Sequence, residues 1–470
     1  MTFSLPQTLL LAIGALIVSL AFTPAIAQIP IASHPVMDSG QTTVPASQLI
    51  ARLSLQTATD LLIKNNLSVI AARYNVDILR AQRIAAGLRP NPTMTFSATQ
   101  FAIPRVFHLP SDAVKTNNEN GAANTTYTVE VDQLFERGDK RALRSEQADR
   151  NTQAAEAQVQ DALRQQLFQL RQAFFTAVLA RENLRVAKDN LDHFDRTENL
   201  LFTQVKEGYS AGVDLKRIQL QQLQFHRDVV TAGQGYQQAA RDVLNLIGQG
   251  DAPTAANATQ LIMSSPSQTG FPQDLIDGNL EIIPELLWIE DLRRMALASR
   301  PDIKVAKLNV EAADAGLKLA EAQRVRDVVV GGQYSRNGSD NTVGVVVGLP
   351  LKIEPRATAA IAQATSSKLQ AEAQLRLVRA QALTDVEKAF TAYQVSRDRL
   401  RLFTGGALAT AGDVRRIEEI AYRDGAKGLL DYLDAQRTYN QTLVDYNQTR
   451  FDFLMSLYQL EFATGSAIVK

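Results

Sequence analysis

Cysteine is absent from this chain of 470 residues. Disulfides, thiolate metal sites and a lipidated N-terminal cysteine are therefore excluded. A surplus of charge is absent too: 49 Lys and Arg stand against 49 Asp and Glu, giving a net charge of zero. A nucleic-acid binder would carry a basic patch, so no nucleic acid is expected among its partners. Histidine is scarce. His34, His108, His193 and His226 are the full set, and none has H-E-x-x-H or comparable ligand spacing. His193 lies near Asp192 and Asp195, which on a helix reads as a solvated face. There is no G-x-x-x-x-G-K-[ST] loop and no G-x-S-x-G elbow. No enzyme activity, cofactor or resident metal is expected. Long apolar runs are missing after the first 27 residues, since no later stretch approaches the roughly 18–20 residues of a membrane helix. Any part of the mature chain that crosses a membrane would have to be made of strands.

What is present begins with an apolar run, "LLLAIGALIVSLAF", ending at "PAIAQ". Its length suits a signal peptide, and Ala25 and Ala27 suit cleavage before Gln28, although "MTFSLPQT" lacks Lys and Arg. Residues 28–52, with Pro30, Pro35 and Pro45, read as a flexible lead-in. Hydrophobic residues make up 45% of the chain, enough for a large folded protein.

The chain repeats itself. "NLSVIAARYNVD" from Asn66 lies on "RPDIKVAKLNVE" from Arg300, "VEVDQLF" on "VVVGLPL", "EGYSAGVD" on "DGAKGLLD", and Gly248 on Gly465. The matches run in order, which marks an internal duplication. The first repeat is expected over 53–248, a linking region over 249–289, the second repeat over 290–465 and a short tail over 466–470. Each half reads as a helix of about 34 residues (55–88; 290–325), a two-stranded hairpin, a helical stretch of about 67 (140–206; 356–423), a glycine turn and another helix of about 34 (214–247; 431–463). At 1.5 Å per residue, two short helices end to end match one long one, both on the order of 100 Å. The expected fold is mainly α with a small β part. Both hairpins should lie at one end and both glycine turns at the other.

Four segments have strand character, near 93–101, 125–135, 327–334 and 342–351. In "YTVEVDQLF" Tyr127, Val129 and Val131 would face one way, with Thr128, Glu130 and Asp132 facing the other. A half-buried soluble hairpin alternates in the same manner. In lipid, unpaired strand edges are prohibitive, and four strands cannot close a barrel. Eight strands from two chains would be filled by side chains, whereas twelve from three would leave an aqueous lumen. Glu130 and Asp132 would then line that lumen.

"GLRPNPTMTFS", "VDQLFERGDKRALRSEQA" and "YRDGAKGLLDYLDAQRTY", with the duplicated plan, resemble the TolC-type outer-membrane efflux proteins over roughly residues 53–465. "LRPNPTMTFS" followed by Q-x-F-E-x-G-x-K-R is closest to the branch serving heavy-metal pumps of the cobalt–zinc–cadmium type. The resemblance implies a homotrimer in the outer membrane, with a twelve-stranded barrel continued by a helical tunnel through the periplasm. It implies three further partners: a periplasmic adaptor, an inner-membrane pump of the RND type, and outer-membrane lipid. It places Asp214, Tyr422, Lys427, Asp431 and Asp434 at a periplasmic gate. Val213 stands where the family pattern has a hydroxyl, and Lys427 stands where it has arginine, which alone makes a planar two-point contact.

Asp431 and Asp434 share a helix face, so three-fold symmetry would ring an opening with six carboxylates, an arrangement that favours cations. First-turn acids are equally explained by the helix dipole and a cap. Gly208, Gly212, Gly425 and Gly428 mark hairpin tips suited to adaptor docking, though turn chemistry alone accounts for glycine there. The expected function is an exit channel for metal ions or small toxic compounds. The alternatives are a duct for type I protein secretion and a coiled-coil envelope scaffold with no pore.

Overall fold

The computed structural model describes residues 52–99, 125–208, 211–249, 275–280, 288–350 and 355–468, all within the unit Ile50–Lys470. The apolar N-terminal run with its cleavage site, nearly all of the 28–52 lead-in, the long polar connection after residue 99 and most of the inter-repeat region lie outside the described residues.

Four strands form one antiparallel sheet: β2 (Thr93–Thr99), β3 (Thr126–Phe135), β5 (Val328–Asn337) and β6 (Asp340–Gly348), in the order β2-β3-β5-β6. The two hairpins pair through β3 and β5, with Val129 opposite Tyr334 and Val131 opposite Gly332. The second hairpin is tighter than its sequence suggests. Its strands extend to Asn337 and Asp340, which pair across a two-residue turn, Gly338–Ser339, with Gly338 at φ 61°. Glycine in the left-handed region at the first of two turn positions is a favoured hairpin chemistry, and it matches the twist of the flanking strands.

Alternation has the expected consequence. Met94, Phe96, Tyr127, Val131, Val330, Tyr334, Val343, Val345 and Val347 stand exposed on one face, Val343 at 85% and Val345 at 79%. Thr95, Ser97, Thr128, Glu130, Asp132, Gln333, Ser335 and Thr342 occupy the other. Strands β2 and β6 are the sheet's outer strands.

The helices are α1 (Leu55–Asn65), α2 (Leu67–Gly87), α3 (Lys140–Lys206) and α4 (Gly212–Leu246) in the first repeat. The second repeat has α5 (Ile289–Ser299), α6 (Pro301–Ala322), α7 (Pro355–Leu402), α8 (Leu408–Arg423) and α9 (Leu429–Thr464). With 67 residues, α3 is about 100 Å long. It packs against α4 on one hand and against α2 and α6 on another, and α9 joins it across the repeats. None of the described helices is long and apolar enough to cross a membrane.

Three expected helices are broken, each for a local reason. The first short helix breaks at Asn66 (φ −66°, ψ 120°), where the Oδ1 atom accepts from the N–H groups of Ser68 and Val69 and caps α2. The matching helix of the second repeat breaks at Arg300 (φ −65°, ψ 124°), because Pro301 bars the α conformation from the residue before it. The long helix of the second repeat breaks at Phe403–Ala407, a π-turn in which Gly406 has φ 115°; α3 has no counterpart.

The breaks at Asn66 and Arg300 do the same job. Asn66 Nδ2 donates to the Leu246 carbonyl at the end of α4 (3.0 Å) and to Gln166 (3.1 Å). Arg300 Nη1 donates to the Ala463 carbonyl near the end of α9 and to Asp385, both at 3.1 Å, while Nη2 reaches Asp302 at 2.6 Å. Gly248 and Gly465, matched in the duplication, close those helices against Asn65 and Arg300. Burial disfavours an ionised Asp302, but the hydrogen bonds from Arg300 outweigh it and hold the carboxyl below its ordinary value.

The largest apolar core lies at this level, around Leu62, Leu170, Phe174, Val178, Tyr236 and Val243. One piece of the inter-repeat region joins it. Ile276–Asp277 (β4) pairs in parallel with Leu53–Ser54 (β1), and Arg181 clamps the carbonyls of Ile276 and Gly278 at 2.5 and 2.6 Å.

Candidate functional site: the two ends of the helical wall

At the sheet end, strand β3 passes into α3 through "ERGDKRALR". Lys140 is buried, and its Nζ donates to Asp327 (2.6 Å) and the Val325 carbonyl (2.7 Å) at the mouth of β5. The Arg137 N–H adds a bond to the same Asp327 oxygen (3.0 Å). Arg144 grips Glu136 with both Nη atoms (2.8 and 3.1 Å) and donates from Nε to the Ala86 carbonyl (2.9 Å). The E-x-G-x-K-R motif thus ties both hairpins to the helices. Sequence reading had used it only as a likeness; a positive charge just past a strand was the available signal. On the polar face, Asp132 leans over Gly331, where any side chain would collide with it, and Asp132 Oδ1 is buried without a hydrogen-bond partner.

At the opposite end the chain turns twice, between α3 and α4 and between α8 and α9. Gly208 (φ 83°) and Gly425 (φ 72°) are in the left-handed region, and both lie open, with nothing near the position of an added Cβ. Glycine there is dictated by the backbone. The N–H groups of Ala426 and Lys427 both return to the Ala421 carbonyl (2.8 and 3.1 Å). Gly212 opens α4, and Gly428 precedes α9 in extended conformation.

The two tips meet in a small apolar cluster: Leu201, Ile218, Leu429 and Tyr432, with Val205, Leu215, Tyr422 and Leu433 packed on it. Tyr422, half-buried, belongs to this cluster. Burial and the nearby charge of Asp214 push its hydroxyl above the ordinary tyrosine value. Asp214 itself pairs with Arg217 at 3.4 Å. Lys427 reaches back across the turn to Glu418 (3.2 Å) and pairs with neither Asp431 nor Asp434. Asp431 Oδ2 accepts from the Gly428 N–H at 3.2 Å, so within one chain it serves as a helix-start cap. Asp434 is exposed and makes no ion pair among the described residues. The structure therefore gathers Asp214 and Tyr422 at the tip, gives Lys427 and Asp431 local partners, and leaves Asp434 unengaged. Sequence reading missed Tyr432, Thr197 and Glu418.

Residues 292–466 match the family described as outer membrane efflux protein. The cobalt-zinc-cadmium resistance protein CzcC of Cupriavidus metallidurans is 22% identical over 87% of this chain and 90% of its own length. Nodulation protein T of Rhizobium leguminosarum bv. trifolii is 22% identical over 86% of this chain and 84% of its own. Among solved structures, CusC superposes with TM-score 0.68 at 18% identity, covering 88% of this chain and 92% of that one. VceC of Vibrio cholerae gives 0.68 at 19%, covering 88% and 96%. The breaks at Asn66, Arg300 and Gly406 leave this fold intact. The second repeat thus matches the outer membrane efflux protein family, and the duplicated helical wall with its four-stranded sheet has the fold of these solved structures.

Proposed function

We propose that three copies assemble into one channel, the outer-membrane exit of a tripartite efflux system. The observation that carries this is the sheet. One face is apolar and exposed, the other is polar, and its two outer strands end the ladder of a single chain. Such a sheet suits lipid outside and water inside, provided its edges find partners. Antiparallel pairing of β6 with β2 of the next copy gives three times four strands, enough for an open lumen. Glu130 and Asp132 then line it. The two tips, with Asp214 of the first repeat and Tyr422, Lys427, Asp431 and Asp434 of the second, form the periplasmic gate, and Asp434, exposed and unengaged, faces the passage. The tips at Gly208, Gly212, Gly425 and Gly428 receive the periplasmic adaptor, which links the channel to an inner-membrane pump of the RND type. The name of the Cupriavidus relative supports metal ions as cargo. The charge set at the gate suits cations.

The test is reconstitution. Purified protein should migrate as a heat-sensitive trimer, fractionate with the outer membrane and give single-channel currents in planar bilayers. Alanine at both Asp431 and Asp434 should weaken block by multivalent cations about tenfold. A monomer without current would refute the channel; unchanged block would remove the two aspartates from the gate.

A further inference from the structure

We infer that Tyr432 is the residue that positions Tyr422, and that stacking of these two rings, rather than the Tyr422 hydroxyl, latches the tip shut. The inference rests on the gate reading above.

Tyr422 sits in the last turn of α8. That helix buries none of its residues and packs along α9. Its upper end follows the Gly406 break (φ 115°), which interrupts the helix above, and there Phe403 packs on Tyr446 of α9 with ring centroids 5.8 Å apart. Its lower end is held by a ring contact. Tyr422 and Tyr432 lie parallel within 7°, with centroids 5.6 Å apart. This is offset stacking, a favoured aromatic arrangement. Tyr432 is itself immobilised: it is 3% exposed, packed among Leu201, Ile218 and Leu429, and its hydroxyl shares a hydrogen bond with Thr197 of α3 at 3.3 Å. The stack therefore connects α8 through α9 to the first repeat.

The hydroxyl of Tyr422 offers no such connection. Among the described residues it makes no hydrogen bond, Asp214 is engaged with Arg217, and Val213 has no hydroxyl to give.

The test compares four variants of the full-length protein in planar bilayers, with the heat-sensitive trimer band as the folding control. Tyr422→Phe keeps the ring and should leave the open probability within about twofold of the parent. Tyr422→Leu and Tyr432→Leu lose the stack and should raise it about three- to tenfold. Tyr432→Phe should restore most of what Tyr432→Leu loses, which a simple packing defect at leucine would also have to explain at Tyr422. If Tyr432→Leu fails to form trimers, the pair Tyr422→Phe and Tyr422→Leu decides. Opening of Tyr422→Phe to the level of Tyr422→Leu overturns the inference and leaves the gate in place. If neither leucine variant opens the channel, the inference also falls. The gate reading falls with it only when alanine at Asp431 and Asp434 leaves cation block unchanged as well.

Discussion

Arginine placed at Val345 and arginine placed at Val346 should have opposite outcomes, though the two residues are neighbours. Val345 lies on the exposed apolar face, in one cross-strand row with Gly332, Val131 and Met94. Arginine facing the middle of a bilayer from a barrel costs about 2–4 kcal/mol. In the trimer proposed above the cost is met three times, so the assembled channel would lose about 6–12 kcal/mol. Val346 points the other way, in a row with Gly331, Asp132 and Thr93. There the new guanidinium can reach across Gly331, which has no side chain, toward the carboxylate oxygen of Asp132 that lacks a partner. Val346→Arg should therefore assemble normally and shift the channel's ion preference toward anions. The measurement is the fraction of each variant recovered from outer membranes as a heat-sensitive trimer. Equal recovery of the two, or loss of Val346→Arg alone, would refute the assignment of faces.

Lys140→Met should lower outer-membrane recovery sharply, because it removes the buried cation paired with Asp327 at the base of the sheet; breaking such a pair costs about 3–5 kcal/mol, and Asp327→Asn in the same chain should return part of it. Asn66→Ala removes the cap of α2 and the bond to the end of α4, and should cost about 1–3 kcal/mol, seen as a lower temperature of trimer dissociation. Asp302 has a folded-state value below its ordinary one. Its contribution is complete above the unfolded value of about 3.9 and disappears as pH falls through the folded value, so Asp302→Asn should flatten the acid limb of a stability-against-pH curve measured by circular dichroism.

The duplication carried most of the architecture. Once "NLSVIAARYNVD" was laid on "RPDIKVAKLNVE", helix lengths alone put the hairpins at one end and the glycine turns at the other. Period-two alternation in β3 sorted its faces correctly, because a strand's side-chain period tolerates no drift. The breaks were less legible. Pro301 announces the one at Arg300, but Asn66 has no proline after it and breaks its helix through a cap whose amide reaches residues 166 and 246. Gly405–Gly406 was readable as a weak point, yet a helix of this composition tolerates glycine at a cost of only about 1 kcal/mol each. At the tip, Asp431 and Asp434 were visible as a spaced pair. Tyr432 was not, since an aromatic between two acids gains its meaning from the ring of Tyr422 and the hydroxyl of Thr197, which come from other helices.

The unfinished ladder on each side of the sheet has a consequence before any channel exists. Among the described residues β2 and β6 each have one side with no strand beside it, next to a greasy surface, and an extended peptide can zip onto such an edge. Correct association must outrun that competition. In the assembly proposed above, closing the ring and entering the bilayer are thus best accomplished together, and a lone copy is the form most exposed to aggregation and proteolysis.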